Sequence, residues 1–98
     1  MAAAKRIESF EDCVNWVLSG ARPRANFRLG AEYERLVIDS EGRTVGYDGP
    51  AGIAALFGIM VERFGWTPVL EGDKAIALTR GEASISLEPA GQFELSGA

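Results

Sequence analysis

The sequence predicts an α+β domain: an antiparallel sheet with two helices packed on one face. Two stretches of helical apolar periodicity, and a C-terminal half that alternates apolar with polar residues, carry that expectation. Strand direction follows from a third observation. The turn signals "EGDK" and "RGE" are too short for a crossover, so the segments they join are antiparallel neighbours.

The first helix is announced by Ser9 with Asp12 three residues later, the spacing of a capping box. Phe10, Cys13, Val14, Val17 and Leu18 then recur at helical spacing until Gly20. That stripe reads as core, with Cys13 in a buried position. "ARPRANFR" is a loop, held off helix by Pro23, and "LGAEYERLVID" is a strand that ends at the turn "SEGR". A short extended piece, "TVGY", follows. "DGPAGIAALFGIMVERFGW" predicts the second helix: Pro50 suits a first turn, Ile53, Leu56, Phe57, Met60, Val61 and Phe64 form one stripe, and Gly65 is the stop. Met60 is read as core filler and Trp66 as packed against the helix end. The rest divides into three strands, "PVL", "AIALT" and "ASISLEPAGQFELS", the last continuous or gently bulged through Pro89 and Gly91.

Composition limits the functions open to such a chain. Its 98 residues make at most one small domain, able to bury roughly 60–65% of its unfolded surface. With 47% apolar and 24% charged residues it is globular rather than disordered. A net charge of −4 argues against a nucleic-acid or anionic-membrane surface, each of which wants a basic patch. The one basic cluster, Arg22, Arg24 and Arg28, reads as a solvated loop. Cys13 is alone, so no intrachain disulfide forms, and a reducing cytoplasmic setting is expected. No apolar run reaches the ~20 residues of a membrane span, and "MAAAKRIESF" lacks the apolar centre of a secretory signal. Without histidine, the chain itself supplies no His base, no Ser-His triad and no zinc-binding His pair. Chemistry is left to carboxylates.

Alternation puts Glu32 and Glu34 on one strand face, and Glu88, Gln92 and Glu94 on another, with Ile85, Leu87, Phe93 and Leu95 on the opposite, core side. Carboxylates two positions apart lie about 7 Å from one another. On an open wet face that is a solvated surface. Brought together across a curved sheet, four carboxylates repel unless cations sit between them, and hard ions such as Mg²⁺ take oxygen ligands of this kind. Glu41, Asp48, Glu71 and Asp73 are read as solvated turn formers.

"FRLGAEYERLV", "YDGPAGIAALF" and "RFGWTPVLEGDKAIALTRGEASISLEPAGQFELSGA" resemble, in that order, the opening segments of glutamate-cysteine ligases of the plant and proteobacterial type. The similarity runs from about Ser9 to the last residue and is most specific from Arg63 onward. The resemblance implies a glutamine-synthetase-like catalytic fold, and an ATP- and Mg²⁺-dependent (or Mn²⁺-dependent) joining of the glutamate γ-carboxyl to the cysteine amine through a γ-glutamyl phosphate. It also implies that the family's GxExE strand is Gly30, Glu32 and Glu34, and that its EPxxQxE strand is Glu88, Gln92 and Glu94. The four glutamates would hold metal. Glu34, Glu88 and Glu94 would share one ion, with Glu32 at another and Gln92 in a catalytic, orienting role. Three positions depart from the expected pattern: Tyr33 stands where His is common, Ala51 where Arg is, and Ala90 where Gly is. Because such ligases run to several hundred residues, residues 1–98 are expected to form one incomplete domain, the N-terminal part of a larger catalytic domain and inactive alone. Self-association, or a complementing chain at an exposed sheet edge, is expected with it. The alternative is a non-catalytic binding or assembly module that retains part of the ligase fold.

Overall fold

The computed structural model describes residues 6–97; the segment "MAAAKRIESF", expected to lack a secretory signal, lies partly outside them. The chain forms helix α1 (Phe10–Ser19), strand β1 (Ala31–Leu36), helix α2 (Ile53–Phe64) and strands β2 (Thr67–Glu71), β3 (Lys74–Arg80), β4 (Ala83–Glu88) and β5 (Gln92–Gly97). The strands make one antiparallel sheet in the order β1-β5-β4-β3-β2. The α+β class is therefore as the sequence predicts.

Local chemistry sets the ends of both helices. At α1, the Asp12 N–H donates to Ser9 Oγ at 3.1 Å and the Ser9 N–H donates to Asp12 Oδ2 at 3.1 Å, the reciprocal capping box. Bonds from the backbone of Glu8, then from the Ser9 side chain, hold the Asp12 carboxyl below its ordinary range. The start of α2 differs from the sequence reading. Pro50 lies in a turn ahead of the helix, and Gly52 is the N-cap, with no side chain to offer. Backbone carbonyls replace the missing cap: Ile53 N–H donates to Gly46 at 3.0 Å and Ala54 N–H to Tyr47 at 2.9 Å, satisfying donors that every helix start leaves open. The approach is so close that a Cβ on Gly52 would stand 2.3 Å from the Asp48 carbonyl oxygen. Gly65 ends α2 in the left-handed region at φ 70°, as expected of a C-terminal glycine.

One face of the sheet carries the core. Ile53 and Phe57 from α2, Trp66, Leu78 from β3 and Ile85 from β4 are buried, with Met60, Val61, Leu87 and Phe93 packed around them. The Phe57 and Phe93 rings stack at 5.1 Å between centroids, joining α2 to β5. Trp66 is buried as anticipated and also receives the Arg80 guanidinium over its ring at 4.8 Å. Phe64, read as part of the buried stripe, is exposed.

Of the two helices expected on that face, α2 packs there, whereas α1 contains no buried residue and Cys13 is exposed. Amphipathic spacing marks a helix that can be buried, and it does not name the surface that buries it. The radius of gyration, 17.1 Å, exceeds the about 13 Å of a compact chain of this length. Residues 20–30 connect α1 to the sheet through a single 3₁₀ turn at Arg24–Asn26. Arg28 Nη1 meets Glu82 Oε2 at 2.8 Å and Arg22 Nη2 meets Glu82 Oε1 at 3.6 Å, so two of the three basic-cluster residues pin this connection to the turn between β3 and β4.

The long final strand of the sequence reading is a hairpin. Pro89–Gly91 form a 3₁₀ turn in which Ala90 and Gly91 have φ of 64° and 76°, and β4 and β5 pair antiparallel across it, Glu88 facing Gln92. Proline withdraws an N–H from the ladder and two successive left-handed residues reverse the chain, so the run cannot continue as one strand. "TVGY" contributes one isolated bridge, Ile38 to Thr44. Among the described residues, no helix is long and apolar enough to cross a membrane.

Candidate functional site

The face opposite α2 is polar, and register determines which of its side chains meet. Three rows cross β1, β5 and β4: Glu32, Ser96 and Ser84; Glu34, Glu94 and Ser86; Leu36, Gln92 and Glu88. Glu94 is the centre of this grid. Glu34 lies directly across from it, while Glu32 and Glu88 occupy opposite diagonals. Directly opposed residues on neighbouring strands have Cβ atoms about 4.5–5.5 Å apart and diagonal ones about 7–8 Å. The hairpin turn therefore brings Glu88 to the group from an adjacent strand, replacing the same-strand spacing read from sequence.

The electrostatics follow that placement. Partial burial, then the charges of Glu32, Glu88 and Glu34, push the Glu94 carboxyl above its ordinary range, and a hydrogen bond shared with Glu34 adds to the effect. Three like charges around a half-buried carboxylate favour its protonated form. Neutral and cationic groups that would relieve the repulsion are few. Gln92 Nε2 donates to Glu34 Oε2 at 2.7 Å, fixing that carboxylate from the diagonal position. Ser86 Oγ donates to Glu88 Oε1 at 2.6 Å. Arg35, next to Glu34 in sequence, projects to the other face and donates to the Glu34 backbone carbonyl at 3.1 Å. Ser86 was not singled out in the sequence, although its position two before Glu88 places it on the same face.

All five side chains selected from the sequence, Glu32, Glu34, Glu88, Gln92 and Glu94, thus share one sheet face. The four carboxylates offer the hard oxygen donors that Mg²⁺ or Mn²⁺ prefers. Among the described residues, however, no three acidic, Cys or His side chains are already gathered closely enough to hold an ion. The donor set fits a dication that takes its remaining ligands elsewhere, as Mg²⁺ does when it binds through one or two carboxylates together with phosphate and water.

Comparison with known proteins shows what this chain is similar to. Over 89 residues, 90% of the chain, the sequence is 46% identical to the chloroplastic glutamate–cysteine ligase of Solanum lycopersicum and 45% identical to that of Brassica juncea. Over the same length it is 42% identical to the chloroplastic glutamate–cysteine ligase A of Oryza sativa subsp. japonica. The chain is homologous to an N-terminal segment of the glutamate–cysteine ligases. It spans 16% to 18% of the length of these relatives. No family model matches it. The cytoplasmic setting expected from Cys13 is corrected by these comparisons, because the relatives are chloroplastic proteins. A lone cysteine excludes an intrachain disulfide and carries no information that separates one reducing compartment from another.

Proposed function

We propose that this chain supplies the carboxylate face of an ATP-dependent ligase that joins the glutamate γ-carboxyl to the cysteine amine, the γ-glutamylcysteine step of glutathione-type thiol biosynthesis. The observation that carries the proposal is the grid around Glu94: four carboxylates and one amide share one sheet face, inside a segment 40–46% identical to enzymes of that name. In the proposed reaction ATP phosphorylates the γ-carboxylate and the cysteine amine displaces phosphate from the resulting γ-glutamyl phosphate. Bound Mg²⁺ or Mn²⁺ would neutralise charge on the transferring phosphoryl group.

The chain's own residues have separable tasks. Glu34, Glu88 and Glu94 would hold one ion and Glu32 would contribute to another. After burial, the charges of Glu32, Glu88 and Glu34 raise the Glu94 carboxyl, and these are the ones a bound cation would offset. Gln92, through its 2.7 Å bond to Glu34, orients that carboxylate toward the centre of the grid and presents its amide to substrate. Among the described residues, this face carries no basic group placed to grip phosphate. For that reason the chain by itself does not complete the reaction, and a second polypeptide segment, joined at the unpaired outer edge of β1, provides them.

The test mixes the chain with the Solanum lycopersicum enzyme lacking its matching segment, in glutamate, cysteine, ATP and Mg²⁺, and measures γ-glutamylcysteine. Product is expected from the mixture, none from either part alone, and none from the mixture carrying Glu34→Gln. Turnover by the chain alone overturns its role as a part. Activity in the mixture that Glu34→Gln and Glu94→Gln leave intact overturns the site. A folded but inactive mixture favours the assembly-module alternative, to which the lack of a ready-made metal cage among the described residues also speaks.

A further inference from the structure

Two of the carboxylates on the polar face are held by neutral donors. Gln92 Nε2 reaches diagonally to Glu34 Oε2 at 2.7 Å, and Ser86 Oγ donates to Glu88 Oε1 at 2.6 Å, the length of a hydroxyl bond to a charged carboxylate. Ser86 has more than one acceptor within reach. It lies directly across from Glu94 on β5, while Glu88 stands two positions along its own strand. Ala77, across from it on β3, has no polar side-chain atom to compete. A hydroxyl has one proton to give, and the half-buried bond gives it to Glu88.

That choice bears on where the Glu88 carboxylate sits. Glu88 is the last residue of β4, at the entrance to the Pro89–Gly91 reversal, and directly across from it Gln92 is turned to Glu34. Ser86 belongs to the row of Glu34 and Glu94, so its bond draws the carboxylate back along β4 toward that row and away from the turn. Ordering a glutamate side chain costs rotamer entropy, and a ligand ordered in advance spares the incoming ion that cost. The donor's neutrality matters equally. A lysine or arginine here would also hold Glu88 but would repel a dication, whereas a hydroxyl orients the carboxylate and leaves its charge in place.

We propose that Ser86 is a positioning residue of the carboxylate face, holding Glu88 toward Glu34 and Glu94 and so raising the affinity of that face for a dication. The inference rests on the reading that this face binds Mg²⁺ or Mn²⁺, and it assigns Ser86 no contact with the ion.

Calorimetric titration of the full chain with Mn²⁺ compares the parent with Ser86→Ala, Ser86→Thr, Glu88→Gln and the Ser86→Ala, Glu88→Gln double variant. Ser86→Ala removes the hydroxyl without adding bulk and is expected to weaken binding by about tenfold. Ser86→Thr keeps the hydroxyl on a side chain that suits a strand and is expected to retain the parental affinity. With Glu88→Gln already present, Ser86→Ala is expected to change nothing further, because its effect passes through Glu88. Parental affinity in a folded Ser86→Ala protein, checked by circular dichroism, overturns the positioning role and leaves the dication reading standing. An unfolded Ser86→Ala protein, or an equal loss in Ser86→Thr, assigns the serine to strand packing and overturns it too. The same loss with and without Glu88→Gln overturns the route through Glu88. A parent that does not bind Mn²⁺ overturns this inference and the dication reading together.

Discussion

Replacing Gly52 by alanine should unseat the start of α2. The added Cβ would lie 2.3 Å from the Asp48 carbonyl oxygen and 2.6 Å from that of Tyr47, both backbone atoms that no side-chain rotation can move aside. Relief requires separating the 46–48 segment from the helix, which breaks the Ile53-to-Gly46 and Ala54-to-Tyr47 bonds. Each contributes about 1 kcal/mol, and leaving a buried partner unsatisfied costs about as much again. Ile53, 1% exposed, moves with them and loses part of its packing. The sum is a loss of about 2–4 kcal/mol, a large fraction of the stability of a small domain. Urea unfolding followed by far-UV circular dichroism reads it directly. Gly58→Ala serves as the control: it lies on the exposed side of the same helix with nothing within 4 Å, and alanine there should stabilise by about 0.5–1 kcal/mol. A Gly52→Ala protein within about 0.5 kcal/mol of the parent, the range of an inconsequential surface change, would refute the argument that the carbonyl contacts build this helix start.

Further perturbations address the core, the hairpin and the carboxylates. Phe57→Ala removes a ring that is 1% exposed and stacked on Phe93, and should destabilise by about 3–5 kcal/mol in the same assay. Ala90 holds φ 64° without a glycine's freedom, so Ala90→Gly should raise stability by about 0.5 kcal/mol and Ala90→Val lower it by about 1 kcal/mol or more. For Glu94, whose folded pKa is raised, the native state binds the proton more tightly than the unfolded one. Its contribution is most favourable at low pH and is lost as pH rises through the carboxylate range to the raised value. The stability difference between Glu94→Gln and the parent should therefore grow in favour of the variant from acid to neutral pH. A pH-independent difference would contradict the crowding of the grid.

Much of this could be read in the residues themselves, for local reasons. Ser9 and Asp12 satisfy one another across one helical turn, and Gly65 supplies a left-handed stop, so both signals are complete within a few positions. The start of α2 was displaced because a proline in a first turn and a proline in the turn before it look alike. Gly52 was the informative residue, and its role depends on the Gly46 and Tyr47 carbonyls that cap Ile53 and Ala54 from well upstream in the chain, a contact without a sequence signature. The polar face was legible for a subtler reason. Glu88 and Gln92 are four positions apart, which keeps them on one face in a continuous strand, and the Pro89–Gly91 reversal sets them opposite one another and preserves that face. Side was thus predicted correctly while path was not. What sequence could not provide was Glu34 set directly across from Glu94, because that pairing joins strands far apart in the chain, as does the bond between Gln92 and Glu34, 58 positions apart. The α1 stripe shows the reverse limit: its periodicity is plain, and nothing local to it states that α2 alone would occupy the sheet.

The central claim, that the face around Glu94 binds dications, is tested most directly by calorimetric titration of the chain with Mn²⁺ and with Mg²⁺, repeated for Glu34→Gln and Glu94→Gln. Saturable binding by the parent, weakened by about tenfold or more in each variant, is the predicted result. Non-saturating heats that are the same for all three proteins would contradict it and return these carboxylates to a solvated surface.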